Sequence, residues 1–199
     1  MAFLKAISSG AIRRGPGRRW AAGLFALALL AGARAAAPAP APPSAEYQVK
    51  AVFLFNFAQF VEWPERAFPD DQAPIVIGVL GEDPFGAYLD ELVQNEKIGD
   101  RPLVVRRFRR VEDITVCHIL FVSHSVAGQF NKIFASLRGR NLLTVGEADN
   151  FCRLGGIVRF VTENGKIRLR INLEPAQGAE LTISSKLLRW ATIDNPGKG

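Results

Sequence analysis

The chain is short of the residues on which enzyme chemistry most often rests. Its 199 residues include two histidines, two cysteines, two tyrosines and one methionine. Nucleophilic catalysis needs a base held beside the nucleophile, and only His118 and His124 could serve. His118 sits inside an apolar run and reads as a buried, hydrogen-bonded histidine; His124 ends that run just before a helix, where ligands gather in open α/β sheets. A metal site needs three or four ligands at workable spacing, and Cys117, His118, His124 and Cys152 form no CxxC or HExxH motif. No catalytic, metal-ligating or cofactor-binding residue is therefore assigned, and no cofactor is expected. A long hydrophobic run is lacking too. The segment Trp20 to Ala31 has about half of the roughly 20 residues a bilayer-spanning helix requires.

Basic charge is in excess only at one end. The formal net charge is +6, but residues 1–35 hold six basic residues and no acidic one, leaving 19 of each sign in the rest. Lys5, Arg13, Arg14, Arg18, Arg19 and Arg34 surround the short apolar segment, and Ala33-Arg34-Ala35 follows as a small-x-small site. That order is the layout of a cleavable secretory signal peptide. Export removes ATP, NAD and DNA as routine ligands, and a charge-balanced mature chain gives no footprint for nucleic acid. The processed protein is expected not to span the membrane. Residues 36–43, nearly all Ala and Pro, read as an extended linker, residues 44–193 as the folded domain, and residues 194–199 as a disordered tail.

Within the domain, Ser44 suits a helix N-cap for a helix to about Glu62, stopped by Trp63-Pro64. At 100° per residue, Val49, Phe53, Phe57 and Phe60 are expected on the core side, with Gln48, Asn56, Gln59 and Glu62 sharing a polar sector. The helix is either laid on a sheet as core or serves to dock a partner. The continuous apolar run Ile75 to Leu80 predicts a strand covered on both faces, and Asp83-Pro84 predicts the start of a helix to Gln94. Leu103 to Phe108, Cys117 to Val122 and Leu142 to Val145 are further strands. Between the last two, Ser125 is expected to start a helix carrying Val126, Phe130, Ile133, Phe134 and Leu137 on one side and ending at Gly139.

The last third changes style. Residues 156–162 and 166–172 flank Glu163-Asn164-Gly165, whose Asn-Gly supplies the positive φ angles of a tight hairpin. Lys166, Arg168 and Arg170 alternate there with Ile167, Leu169 and Ile171, giving one wet face and one core face. A short helix over residues 184–191 closes a single compact α/β domain, with a mixed, partly parallel sheet flanked by helices.

Other features stay open between two readings. Gly81, Asp83 and Phe85 lie in a strand-end loop that, with His124, could form a small-ligand pocket; turn geometry also accounts for the glycines. Cys117 and Cys152 are either a disulfide, closing a loop with 34 intervening residues and contributing about 3–4 kcal/mol, or two small apolar residues. Arg106-Arg107-Phe108-Arg109-Arg110 and the Lys166, Arg168, Arg170 stripe fit either solvated strand faces or contact with acidic lipid or an acidic protein surface.

Several stretches together resemble the YfiR family of exported regulators. They are Tyr47 to Phe57, Phe60-Val61-Glu62-Trp63-Pro64, Ile77 to Gly86, Cys117 to Ser123, Leu143 to Gly146, Gly155-Gly156, Ile171 to Glu174 and Ile183 to Leu188, in that order. The resemblance implies a periplasmic protein without catalysis. It implies as partner the periplasmic region of an inner-membrane signalling protein, a diguanylate cyclase or a sensor kinase, restrained by contact. Gln48, Asn56, Gln59, Glu62 and Trp63 are the expected partner-binding residues, and a homodimer stays open. Known regulators of this kind carry more cysteines than two, so redox control is not expected here. The competing reading is a periplasmic small-ligand domain feeding a sensor histidine kinase or a transport system.

Overall fold

Ile75–Leu80, buried at all six positions, becomes the central strand β2 of an eight-stranded sheet. The computed structural model describes residues 42–194; the expected signal peptide, most of the linker and residues 195–199 lie outside the described residues. In chain order the elements are α1 (Ala45–Phe60), β1 (Val61–Glu62), β2, α2 (Ala87–Val93), β3 (Lys97–Ile98), β4 (Arg101–Phe108), β5 (Ile119–Val122), α3 (Phe130–Leu137), β6 (Leu143–Gly146), β7 (Val158–Glu163), β8 (Lys166–Ile171), α4 (Leu173–Gly178), β9 (Thr182–Ile183), α5 (Ser185–Leu188) and β10 (Ala191–Ile193). The large sheet runs β10-β8-β7-β6-β5-β2-β4-β3, and β1 pairs with β9 in a separate two-stranded ribbon.

Strands β4, β2, β5, β6 and β7 are mutually parallel, while β8 returns antiparallel to β7 and β3 antiparallel to β4. From β2 the chain steps outward to β4, then back across β2 to β5 and on to β6. Right-handed crossovers in opposite directions put their helices on opposite faces. The packing follows that rule: Leu89 and Val93 of α2 join α1 in one apolar cluster, and Phe130, Ile133 and Leu137 of α3 join the other. Both faces of the central strands are therefore dry, which is why they read as unbroken apolar runs.

The α1 register differs from expectation. Its buried face is Lys50, Ala51, Leu54, Phe57 and Ala58, whereas Val49, expected in the core, is 46% exposed, and Phe53 and Phe60 are only half-buried. Apolar residues surround this helix almost completely, so periodicity gives it no direction. A buried charge settles the orientation instead. Lys50, 3% exposed, reaches Glu147 Oε2 at 2.5 Å and Glu46 Oε1 at 2.6 Å, and Tyr47 donates to Glu147 Oε1 at 3.0 Å.

Two helix starts also shift. Asp83 Oδ1 accepts from the Phe85 N–H at 2.7 Å, so this residue closes a local turn, and α2 begins only after Gly86, whose φ is 54°. Side-chain capping at Asp83 competes with helix entry in the way Asx turns do. Ser123, not Ser125, caps the next segment, accepting from the Ser125 N–H; residues 124–129 form 3-10 turns, and the α-helix starts at Phe130. The hairpin forms as the sequence predicts. Glu163 pairs with Lys166, leaving Asn164 (φ 51°) and Gly165 (φ 71°) as a two-residue turn. Beyond it, the expected helix over 184–191 is shorter, and Ala191–Ile193 instead adds to the sheet as β10, parallel to β8.

Candidate interaction surface

Opposite its buried face, α1 presents Ala45, Val49, Val52, Asn56 and Gln59, spaced i, i+4, i+7, i+11 and i+14 along one stripe. Val49 and Val52 are 46% and 39% exposed. Of the five residues expected to touch a partner, Gln59 and Glu62 are exposed, and Asn56 and Gln48 are half-buried beside them. Gln48 donates to the Pro43 carbonyl at 3.1 Å, tying the chain before α1 back onto the helix. Trp63 stands apart from this surface. Its ring packs edge-on against His118, with centroids 6.0 Å apart.

Beside the stripe lies a groove of about 410 Å³ between α1, β8 and α5. Phe53, Asn56 and Phe60 form the α1 side, Leu169 and Leu187 lie buried beneath, and Trp190 stands at the far side, 77% exposed. Local hydrogen bonds place that indole. Ser184 accepts from the Lys186 N–H to start α5, Trp190 N–H donates to Leu187 O at 3.0 Å, and Ala191 then pairs with Leu169 of β8. Arg168, Lys186 and Arg189 line the same groove, and no acidic residue does. Sequence reasoning reached Asn56 and the Arg168 stripe separately. It missed Trp190, whose only mark in the sequence was an aromatic just past the apolar pair Leu187-Leu188.

The residues considered for a small-ligand pocket lie on two loops in contact with each other. Gly81 (φ 92°) packs against Ser125, whose Oγ accepts from the Glu82 N–H at 2.9 Å and lies 3.1 Å from Ser123 Oγ. Where the chain reverses between β2 and β5, the crevice is thus filled by these serines. Phe85 is buried against Tyr47 and Phe121, Asp83 pairs with Arg107 at 2.7 Å, and His124 is exposed. None of these four lines the groove, a second cleft of about 680 Å³ between the ends of α3 and α4, or a third of about 210 Å³ near Arg109 and Lys132. Asp90 and Asp83 hold the Arg107 guanidinium well above its ordinary pKa, fixing the β2–α2 loop to β4.

His118 is 1% exposed. Its Nδ1 accepts from the Val76 N–H at 3.0 Å, and Nε2 lies 3.1 Å from the Ala67 carbonyl, to which it must donate. An amide donor on Nδ1 requires the neutral ring. Burial lowers its pKa further. Phe68 stacks on it with centroids 4.4 Å apart. Cys117 and Cys152 are both free and buried, and burial pushes each thiol up to about 12. Such thiols are protonated and unreactive at neutral pH. Among the described residues, no three His, Cys, Asp or Glu side chains are grouped to hold a metal ion, and no helix is long and apolar enough to cross a membrane.

Residues 47–192 match the model of a family described as YfiR/HmsC-like. No curated protein matches the chain. A solved structure of a conserved domain protein from Vibrio cholerae O1 biovar El Tor str. N16961 is similar at 14% identity with a TM-score of 0.47. That match covers 74% of this chain and 60% of the other, so the chain spans less than two thirds of that protein's length.

Proposed function

The chain belongs to the YfiR/HmsC-like family of periplasmic regulators, and from that premise we propose that it restrains an inner-membrane diguanylate cyclase by binding its periplasmic sensor region. Cytoplasmic cyclic di-GMP then stays low while the regulator is bound. An N-terminal signal peptide over residues 1–35 delivers the protein, and the folded domain does the binding. The outer stripe of α1 provides the contact, with Asn56 and Gln59 at its polar positions, Gln48 beside it and Glu62 just beyond.

The observation that carries this reading is a groove beside α1 with Phe53, Phe60 and the 77% exposed Trp190 in its lining, next to a helix stripe on which Val49 and Val52 are exposed. Large apolar residues gathered at one place on a surface mark contact with another molecule. Restraint needs no chemistry from the regulator. It needs only that the regulator bind the inactive form of its partner more tightly than the active form. A hundredfold suppression requires about 2.7 kcal/mol of such preference. Any signal that favours unbound regulator releases the enzyme.

Deleting the gene tests the reading. Cyclic di-GMP and biofilm formation rise on deletion and return with the wild-type gene. Unchanged levels, with no inner-membrane protein retained by the regulator, refute it.

A further inference from the structure

We propose that the groove between α1, β8 and α5 binds an extended, acidic and apolar segment of the partner protein, seated along the open edge of β8. The inference rests on the regulatory reading above and names the chemistry of the contact.

Three observations point to a peptide of this kind. First, β10 covers β8 only along Leu169–Ile171, so Lys166, Ile167 and Arg168 have no strand partner on that side among the described residues. Ile167 and Arg168 are also part of the groove lining. An edge beside a groove is the arrangement in which an added strand gains backbone hydrogen bonds while alternate side chains enter pockets. Second, the surface beside that edge is apolar and aromatic, with Phe53, Phe60 and Trp190 open to an incoming side chain. Aromatic anchors of this sort dominate the energetics of interfaces.

Third, charge selects the occupant. Arg168, Lys186 and Arg189 are all exposed at the groove, and among the described residues none makes an ion pair. Elsewhere Arg107 of β4 and Arg159 of β7 are matched by Asp83, Asp90 and Asp149. Three unmatched cations without an acid complement a segment bearing Asp or Glu between its apolar residues. A fatty acid or an anionic lipid surface would satisfy the cations and the rings, but would leave the backbone of the β8 edge unused.

Purified protein is titrated into three labelled ten-residue peptides and followed by fluorescence anisotropy. One alternates Glu with Leu and Phe, one has Lys in place of Glu, and one has Ser in place of the apolar residues. The acidic, apolar peptide is expected to bind at least about tenfold tighter than either counterpart and to weaken as salt rises. Trp190→Ala and the double variant Arg168→Glu/Arg189→Glu each lower its affinity by about tenfold or more, whereas Arg109→Glu, beside a different cleft, leaves it unchanged. These are exposed positions, and an unchanged thermal melt verifies folding in each variant.

Equal binding of the Lys peptide, indifference to the groove variants, or no binding by any peptide overturns the proposal. So does binding of sodium oleate or phosphatidylglycerol vesicles that the groove variants abolish, in the absence of peptide binding. In cells, the Trp190→Ala protein loses its restraint of cyclic di-GMP. If it restrains like wild type, the groove is not the contact and the regulatory reading stands. If gene deletion itself changes nothing, the regulatory reading falls, while the peptide titration still reports on the groove.

Discussion

His118→Ala removes a ring that makes one buried and one partly buried hydrogen bond and one stacking contact, and its effect on stability can be worked out group by group. The Val76 N–H lies in a fully buried strand residue, and without Nδ1 it has no acceptor there. An orphaned buried donor costs about 1–3 kcal/mol. Loss of the Phe68 stack adds about 0.5–1.5 kcal/mol. The variant should therefore be about 2–4 kcal/mol less stable at pH 8, and His118→Asn, whose side-chain oxygen can take the Val76 N–H, should recover part of that loss. The pH dependence is sharper still. The folded pKa lies below the ordinary value of 6.5, because burial and the Val76 donor both resist protonation. Above pH 6.5 neither folded nor unfolded His118 carries the extra proton, and the full benefit is present. As pH falls below 6.5 the unfolded chain binds a proton that the folded chain refuses, so wild type loses stability by up to about 1.4 kcal/mol per pH unit until the folded pKa is reached. The Ala variant lacks this term, so the gap between the two proteins narrows in acid. Urea unfolding of both proteins from pH 8 to pH 5 measures the gap directly. A gap that stays constant or widens toward pH 5 refutes the buried, neutral assignment.

Three further perturbations address other parts of the domain. A Cβ at Gly156 or Gly146 would run into the ring of the fully buried Phe151, so Gly156→Ala should cost about 1–3 kcal/mol. Combined with Phe151→Leu it should be less damaging than the sum by at least about 0.5 kcal/mol in a double-mutant cycle. Lys50→Met should destabilise by about 1–3 kcal/mol in chemical denaturation, because it leaves the half-buried Glu147 carboxylate without its cation. Burial alone would lower the Lys50 pKa, but the hydrogen bonds it donates to Glu147 and Glu46 and their negative charges raise it on balance. The wild-type advantage is therefore complete below the ordinary lysine value of 10.5 and disappears as pH rises through the higher folded value; an advantage already lost at pH 9 would contradict the assignment. Finally, Cys117 and Cys152 should resist iodoacetamide at pH 7.5 in the native protein and react fully in urea, as intact mass reports. Fast native alkylation, or a mass showing a bridge, would contradict two buried free thiols.

Strands were the most legible part of the sequence. Ile75–Leu80 and the Asn164-Gly165 hairpin follow from dryness on both faces in one case and from positive φ in the other, and both causes are local. Helix α1 was legible as a helix but not in its orientation. Its rotation depends on Lys50 finding Glu147, a partner 97 residues away that no periodicity announces. Asp83 and Ser125 misled for a related reason, since the side chains that cap helices also close turns, and tertiary contacts decide between the two. The polar residues of the α1 surface were found because they interrupt an apolar helix. Trp190 and the open edge of β8 were not, because a groove assembled from three distant segments appears only when β10 has joined the sheet.

The central claim is that this protein works in the periplasm by touching another protein. Crosslinking intact cells, purifying the tagged protein from the envelope and identifying what is joined to it tests that claim most directly. The account predicts a chain cleaved near residue 35, joined to the periplasmic region of an inner-membrane signalling protein, with the yield reduced by Trp190→Ala. An uncleaved chain recovered from the cytoplasm, or a mature chain joined to no inner-membrane protein, would contradict it.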